Sequence, residues 1–340
     1  MPSLKRWEIQ YCEVSGNGLS INGLCEFTHV RRLEVSFNNL TGDLPDCFSN
    51  LTSLETLDLS SNQLYGDISA LESLTSLQFL TLSNNHFKIP SSLGPLFNLS
   101  QLKFFSADNN TFFAETEMPS LPPRFQLEYI SLSCCGDGGS FPQFLYHQND
   151  LQSVDLSNIY FKGEFPNWLL DNNTNLYRLV LANNSLFGKL QLPSLPHSDL
   201  SYLDISQNYF YGNIPIEIGA KLPSSQSLNM SRNHFRGSIP ASIGDMNSLW
   251  DLDLSNNKLT GALPEHLAVG CSSLNVLILS NNGLEGQIFP SDFNLTVRDG
   301  EVKKRLRLME AKQSIIASSA SCGIKRDGCI WVDDSGLASF

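Results

Sequence analysis

Leucine recurs along this chain in the pattern L-x-x-L-x-L-x-x-N, and this repeat constrains the fold more than any other feature of the sequence. Its asparagines stand at positions 38, 62, 85 and 110 and again at 184, 208, 233, 257 and 282, which is 23 to 25 residues apart within each run. A fixed period of this length indicates an elongated array of stacked units. Clear copies begin at Leu54, Leu77, Leu176, Leu200, Leu249 and Leu274, and softer copies pass through Leu33, Leu102, Leu127, Leu151 and Leu228.

The spacing within one unit predicts its structure. The L-x-L piece alternates apolar and polar residues, which is the period of a β-strand with one buried face. A single unit cannot bury its own leucines, so neighbouring units must stack and share one core. The strands then form one parallel sheet, and the asparagine that closes each copy is expected to turn inward and bond the backbone of adjacent coils, since a buried amide needs partners.

A second signature follows several of these asparagines. It reads L-x-G-x-I-P and occurs as Leu40–Pro45, Phe210–Pro215, Phe235–Pro240 and Leu259–Pro264. This segment resembles the plant-type extracellular leucine-rich repeat. The resemblance implies an α/β horseshoe solenoid with one parallel concave sheet, short 3-10 or helical turns on the convex side, and second short strands.

The resemblance extends to the receptors that carry such arrays. Stretches around Leu44–Leu51 and Asn167–Leu170 are similar to the kinase-less receptor-like proteins of plants. It implies a glycoprotein at the extracellular side of the plasma membrane that recognises a peptide or protein ligand, acts in signalling or defence, and works through a partner receptor kinase. The alternatives are a secreted inhibitor of cell-wall hydrolases and a truncated decoy with no signalling role.

Three segments are expected. Residues 1–27 form a degenerate N-terminal repeat, 28–296 hold the array of about eleven repeats, and 297–340 contain neither signature. Residues 300–318 fit either a helix that caps the last coil or a disordered segment that a misread splice boundary would also explain. The N-terminus lacks an apolar signal sequence and a cysteine-flanked cap, so the chain is expected to be an excerpt of a longer receptor.

Two consecutive units break the asparagine rule, because Cys135 and Ile159 stand where the amide belongs. One interpretation is drift at interior repeats. The other is a looser coil that presents an irregular face to a ligand.

The candidate ligand-binding residues lie on the predicted concave face. The third position of successive units carries Phe79, Phe104 and Tyr129, then Ser153, Arg178 and Tyr202. Side chains in register would form an exposed stripe, and aromatic residues and arginine dominate binding hot spots. The alternative is that large side chains support one another along the sheet. We therefore predict a concave ligand site at Phe79, Phe104, Tyr129, Arg178 and Tyr202.

The glycosylation sequons, together with the extracellular repeat type that the sequence resembles, favour secretion. Cys25 and Cys47 precede successive strands and are predicted to bridge adjacent coils, whereas Cys271 is expected to be a buried apolar residue. The Asn-x-Ser/Thr pattern, which accepts N-linked glycans, occurs at Asn39, Asn50, Asn98, Asn109, Asn172, Asn183, Asn229 and Asn294.

Charge and motifs exclude other classes of function. A net charge of −12 argues against nucleic-acid partners, which require a basic surface. No apolar stretch approaches the roughly 18 residues of a membrane-spanning helix. There is no kinase signature, phosphate loop, metal-ligand spacing or nucleophile elbow, and the aspartates at 58, 155, 204 and 253 all occupy the fifth position of a repeat. We expect no enzyme activity, cofactor or metal.

Overall fold

A computed structural model describes residues 4–17, 26–113, 122–136 and 139–285. In these ranges a parallel sheet of twelve strands runs the length of the array, with each strand paired to that of the next unit. Parallel strands at a spacing of about 4.8 Å require one coil of chain between neighbours. The strands are Arg6–Glu8, Arg32–Glu34, Thr56–Asp58, Phe79–Thr81, Phe104–Ser106, Tyr129–Ser131, Ser153–Asp155, Arg178–Val180, Tyr202–Asp204, Ser227–Asn229, Asp251–Asp253 and Val276–Ile278.

A second set of short strands follows the concave strands and forms two further parallel sheets within the described ranges. In the units that carry L-x-G-x-I-P, the predicted glycine lies at or near the end of the short strand, with a φ of 102° at Gly42 and 89° at Gly212, values that favour glycine. The first sheet holds Ser15–Asn17, Asn39–Gly42, Gln63–Gly66, His86–Pro90 and Thr111–Phe113, and the second holds Lys162–Gly163, Ser185–Gly188, Tyr209–Asn213, His234–Gly237, Lys258–Gly261 and Gly283–Leu284.

Short helical turns close the convex side. Prolines such as Pro45, Pro240 and Pro264 immediately precede these turns in an extended conformation. Neighbouring turns pack closely enough to require glycine: a Cβ atom on Gly219 would lie 1.8 Å from the backbone oxygen of Ser242. The α-helices are α1 (Asn167–Asn172), α2 (Ile218–Lys221) and α3 (Glu265–Gly270), and the 3-10 turns are Asp46–Asn50, Ser69–Leu71, Gly94–Leu96, Gln143–His147 and Ala241–Asp245.

The core lies between the concave sheet and the convex turns. The repeat leucines have no accessible surface at positions such as Leu57, Leu59, Leu252 and Leu254. Their burial confirms the predicted register, and it confirms the horseshoe of parallel concave strands, convex turns and second strands.

The asparagine ladder forms as predicted. The Asn208 amide nitrogen donates to the carbonyl of Leu181 in the preceding unit at 2.9 Å and to two carbonyls of its own unit. Its side-chain oxygen accepts the N–H of Leu186 at 3.0 Å. The residue before each asparagine is left-handed, with φ values of 52° at Asn183 and 53° at Gln207. Each amide therefore joins two coils.

The division into three segments stays a prediction. The first concave strand, Arg6–Glu8, pairs in parallel with Arg32–Glu34, so chain before residue 28 enters the same sheet. The expected C-terminal helix at 300–318 falls outside the described residues.

Candidate functional site

The third position of each concave strand forms one row across the sheet. Backbone pairing places Phe79 opposite Phe104, and Phe104 opposite Tyr129. The row then continues through Ser153, Arg178 and Tyr202. The residues predicted from the repeat spacing therefore stand one coil apart, as expected from the period.

Three aromatic rings in this row form a continuous stack. The ring centroids of Phe79 and Phe104 are 4.2 Å apart with an interplanar angle of 13°, and those of Phe104 and Tyr129 are 4.2 Å apart with an angle of 4°. All three side chains are half-buried. Because each ring covers its neighbour, the stack both supports the sheet and presents ring edges to the concave face. We call these three residues the aromatic stack.

Beyond the aromatic stack the row changes character. Ser153, which we expected to be exposed, is only 2% exposed because its short side chain lies between two much longer ones, Tyr129 and Arg178. The Arg178 guanidinium lies 4.4 Å from the ring centroid of Tyr202, a cation–π distance, and 3.6 Å from a carboxylate oxygen of Asp155. The predicted site is thus two groups of residues separated by a buried serine.

The aspartates of the fifth position line the sheet beside this row. Asp204 and Asp253 each accept the backbone N–H of the serine two residues later, at 2.8 Å. Burial is the main cause that raises the pKa of Asp155 and of Asp204 above 3.8. Asp251 belongs instead to the third-position row; burial raises its pKa as well, and its Oδ1 atom is buried without a hydrogen-bond partner in the described structure. The carboxylates of Asp204 and Asp253 therefore stabilise the turn that follows each strand.

One acidic residue that sequence reasoning missed lies next to the aromatic stack. Asp108 occupies the seventh position, where most other units carry serine, and the fifth position of its own and the next unit is serine. Its Oδ1 accepts the Ser131 hydroxyl at 2.6 Å and the Ser133 backbone N–H at 2.6 Å. Its Oδ2 accepts the Ser106 hydroxyl at 3.0 Å. The exchange of Ser and Asp between positions five and seven was the sequence feature that could have identified this hydrogen-bonded aspartate.

Burial and the nearby Asp108 carboxylate raise the pKa of Tyr129. The phenol of the aromatic stack therefore stays protonated at neutral pH, and it remains a hydrogen-bond donor on the concave face.

Comparison with known proteins agrees with this geometry. The model of the leucine-rich-repeat family matches residues 28–87 and 198–259. This chain is a leucine-rich-repeat protein. It is 40% identical to Cuscuta receptor 1 of Solanum lycopersicum over 80% of its length, and 43% identical to Receptor-like protein 13 of Arabidopsis thaliana over 81%. The alignments cover 24% and 26% of those relatives, so the chain spans about a quarter of each.

Solved structures similar to this leucine-rich-repeat chain include the complex of PEPR1 with AtPEP1, at 30% identity and a TM-score of 0.70, covering 82% of this chain and 39% of that one. A plant peptide hormone receptor, RGFR1 in complex with RGF2, matches at 28% identity and a TM-score of 0.55, covering 77% of this chain and 42% of that one. The chain is therefore similar to plant receptor-like proteins and to the leucine-rich-repeat ectodomains of plant receptors, which agrees with the resemblance of its L-x-G-x-I-P segments.

The cysteines of this leucine-rich-repeat chain differ in environment. Cys47 is disulfide-bonded, and Cys25, its predicted partner, lies outside the described residues. Cys271 is buried, and its thiol donates to the Ile243 carbonyl at 3.0 Å. Burial raises the pKa of that thiol to about 11, so Cys271 packs as a neutral apolar residue, as predicted.

The predicted glycosylation sites fall into two classes. The exposed ones lie on the convex turns and the outer strands, and the half-buried ones on or at the edge of the concave sheet. Asn39, Asn50, Asn98 and Asn172 are exposed, whereas Asn109, Asn183 and Asn229 are half-buried. Asn294 falls outside the described residues. Glycosylation of each stays a prediction.

Two further features bear on function. Within the described ranges, none of the helices is long and apolar enough to cross a membrane. The same ranges hold no group of three or more His, Cys, Asp or Glu side chains arranged to bind a metal ion.

Proposed function

We propose that this chain is the ligand-recognition part of a plant receptor-like protein and that it binds a peptide or protein on its concave face. The observation that carries the proposal is the aromatic stack, whose members stand in register on three consecutive strands. The alignment with plant receptors such as Receptor-like protein 13 supports it.

The chemistry of the face fits an extended peptide of mixed charge. The aromatic stack offers apolar ring edges, and the neighbouring group offers the Arg178 guanidinium beside the Asp155 carboxylate. Buried aromatic residues and arginine supply most of the binding energy at protein interfaces. A peptide that places an apolar side chain over the stack and a charged one near Arg178 would use both groups.

We further propose that the whole receptor lies at the cell surface, acts in signalling or defence, and works through a partner receptor kinase. The names of the relatives, Cuscuta receptor 1 among them, support a receptor role. We propose no enzyme activity, because the polar clusters of the concave face are occupied by turn and ladder hydrogen bonds.

The test replaces Phe79, Phe104 and Tyr129 together with alanine. Peptides selected from a displayed random library against the unmodified chain serve as probes, and their affinity is measured by fluorescence anisotropy. We expect the variant to lose at least tenfold in affinity, with a melting temperature lowered by only a few degrees, since half-buried rings contribute less to stability than core residues.

A matched control replaces Tyr65, Phe113 and Tyr146 with alanine. These side chains are exposed outside the concave sheet, so peptide affinity should stay unchanged. Complete unfolding of the triple variant would assign the aromatic stack a purely structural role. Inhibition of a purified cell-wall hydrolase by the unmodified chain, without peptide binding, would instead favour a secreted inhibitor.

A further inference from the structure

The outer strands of the second half carry an unusual row of exposed aromatic residues. Side chains alternate along each strand, so Phe210 and Phe235 point into the core while their neighbours face solvent. Phe187 is 49% exposed, Tyr209 55% and Tyr211 49%. Backbone pairing places Phe187 opposite Tyr209. Large aromatic side chains this exposed and this close together mark contact surfaces rather than chance exposure.

Cations lie among these rings. Lys162, Lys189, Arg236 and Lys258 are exposed on or directly after the same strands. Arg236 pairs with Lys258 through the backbone, so two like charges stand on neighbouring strands. The His234 ring lies 6.1 Å from the Tyr209 ring. We call the exposed aromatic and basic side chains of residues 162–258 on these strands the outer face.

Several cations on and beside the concave strands pair with carboxylates. Arg31 pairs with Glu55 at 2.8 Å, Lys103 with Glu128 at 3.4 Å, and Arg178 with Asp155. Among the residues that the structure describes, no ion pair involves Lys162, Lys189, Arg236 or Lys258.

This arrangement runs against the charge of the whole chain, which is −12. Exposed cations without an ion pair also occur elsewhere in the described residues, as at Lys88 and Arg232, but the outer face holds four of them among exposed aromatic side chains, with Glu164 as an exposed carboxylate directly after the first strand. Like charges on adjacent strands are mutually unfavourable. The same juxtaposition occurs at Arg6 and Arg32 in the concave sheet, where each arginine has a carboxylate beside it, whereas Arg236 and Lys258 form no ion pair in the described structure.

We propose that the outer face is a docking surface for a protein partner that presents a carboxylate-rich surface. Aromatic residues and arginine are enriched in protein interfaces, and complementary charge sets the partner and the rate of association. Five coils of about 4.8 Å each give the face a length of roughly 20 Å, which suits a folded partner. The outer face belongs to a different sheet from the concave row, so the two proposed sites do not overlap.

The experiment measures binding of the purified chain to fluorescently labelled poly-L-glutamate by anisotropy at low ionic strength. Arg236→Glu with Lys258→Glu is expected to weaken binding at least tenfold. Tyr209→Ser with Tyr211→Ser is expected to weaken it by a similar factor, because the rings contribute contact area as well as position. The control Lys88→Glu reverses an exposed cation in the other outer sheet and should change affinity less than twofold.

Four results would overturn the proposal. Absence of binding would do so directly, and so would unchanged affinity in the tyrosine variant, which would reduce the effect to general charge attraction. Tighter binding of polygalacturonate of equal charge number would assign the face to an acidic polysaccharide. Self-association that Arg236→Glu abolishes, measured by sedimentation, would make it an interface between copies. The alanine variant of the aromatic stack should keep full poly-L-glutamate binding, which separates this proposal from the concave site.

Discussion

The coils that carry the unbroken asparagine ladder, from Asn184 onward, contrast with the coils around Cys135 and Ile159. In the ladder, the Oδ1 atom of Asn208 accepts the N–H of Leu186 at 3.0 Å. At the break, the corresponding N–H of Phe112 donates directly to the Cys135 backbone oxygen at 2.7 Å. The Cys135 thiol replaces the amide as a donor, to the Ala107 carbonyl at 3.1 Å. Buried backbone groups must be paired, and here two different chemistries pair them.

In the middle coils, buried polar side chains also lie at the opposite end of the sheet, where the concave strands begin. Gln148 accepts the Leu127 N–H at 2.8 Å, Asn173 accepts the Leu151 N–H at 2.9 Å, and His197 accepts the Leu200 N–H at 3.2 Å. All three side chains are buried. Together with the Asp108 cluster, they show that the hydrogen-bond demand of a coil is constant while the residue that meets it varies.

The largest loss of stability is expected when an asparagine of the ladder is replaced. Asn208→Ala removes the acceptor of the Leu186 N–H and the donor to the Leu181 carbonyl, so we expect a loss of about 3 kcal/mol in unfolding free energy. Cys135→Ala removes only a weak thiol donor and should cost about 1 kcal/mol. Urea denaturation of both variants measures the difference. Equal losses of unfolding free energy would show that the asparagine and the cysteine stabilise their coils to the same extent.

Asp108 gives the next largest effect. Its carboxylate bonds to the next unit, whereas the Asp253 carboxylate accepts an N–H two residues away within its own unit. We expect Asp108→Ala to lower the unfolding free energy by about 2 kcal/mol and Asp253→Ala to lower it by about 1 kcal/mol, because only the Asp108 substitution removes side-chain hydrogen bonds between neighbouring coils. Hydrogen exchange of residues 104–133 reports the local effect. Protection unchanged in Asp108→Ala would argue against a bond between coils.

The smallest effect concerns Asp251 and depends on pH. Its folded-state pKa is raised above 3.8, so its ionisation opposes folding, and the protein gains stability as the pH falls through the folded pKa. Asp251→Asn should therefore stabilise the chain at pH 7, by on the order of 1 kcal/mol, and give no gain near pH 3.5. Chemical denaturation at both pH values measures this. An equal gain at both would assign the effect to packing.

The repeat period predicted which leucines are buried and which side chains share a row. It did not predict the buried polar side chains, because their hydrogen-bond partners depend on the local structure of each coil. Leu57 and Leu252 follow a strict spacing, so their burial could be read from the pattern. Gln148, Asn173 and His197 lie outside the positions that the L-x-x-L-x-L-x-x-N repeat defines, and they are three different residue types. The repeat pattern therefore does not mark them as buried hydrogen-bonding residues. The aromatic stack was predicted by register, but its half-burial follows from ring stacking, which depends on side-chain torsions that spacing does not encode.

The parallel register of the aromatic stack has a consequence for how such chains change by recombination. Removing or duplicating one whole unit shifts every later strand by one coil and leaves each third-position side chain aligned with its new neighbour. A deletion that joins the strand of Phe79 to that of Tyr129 would bring two rings face to face again without any point mutation. Gains and losses of complete units can thus lengthen or shorten a recognition surface while the hydrophobic interior stays continuous.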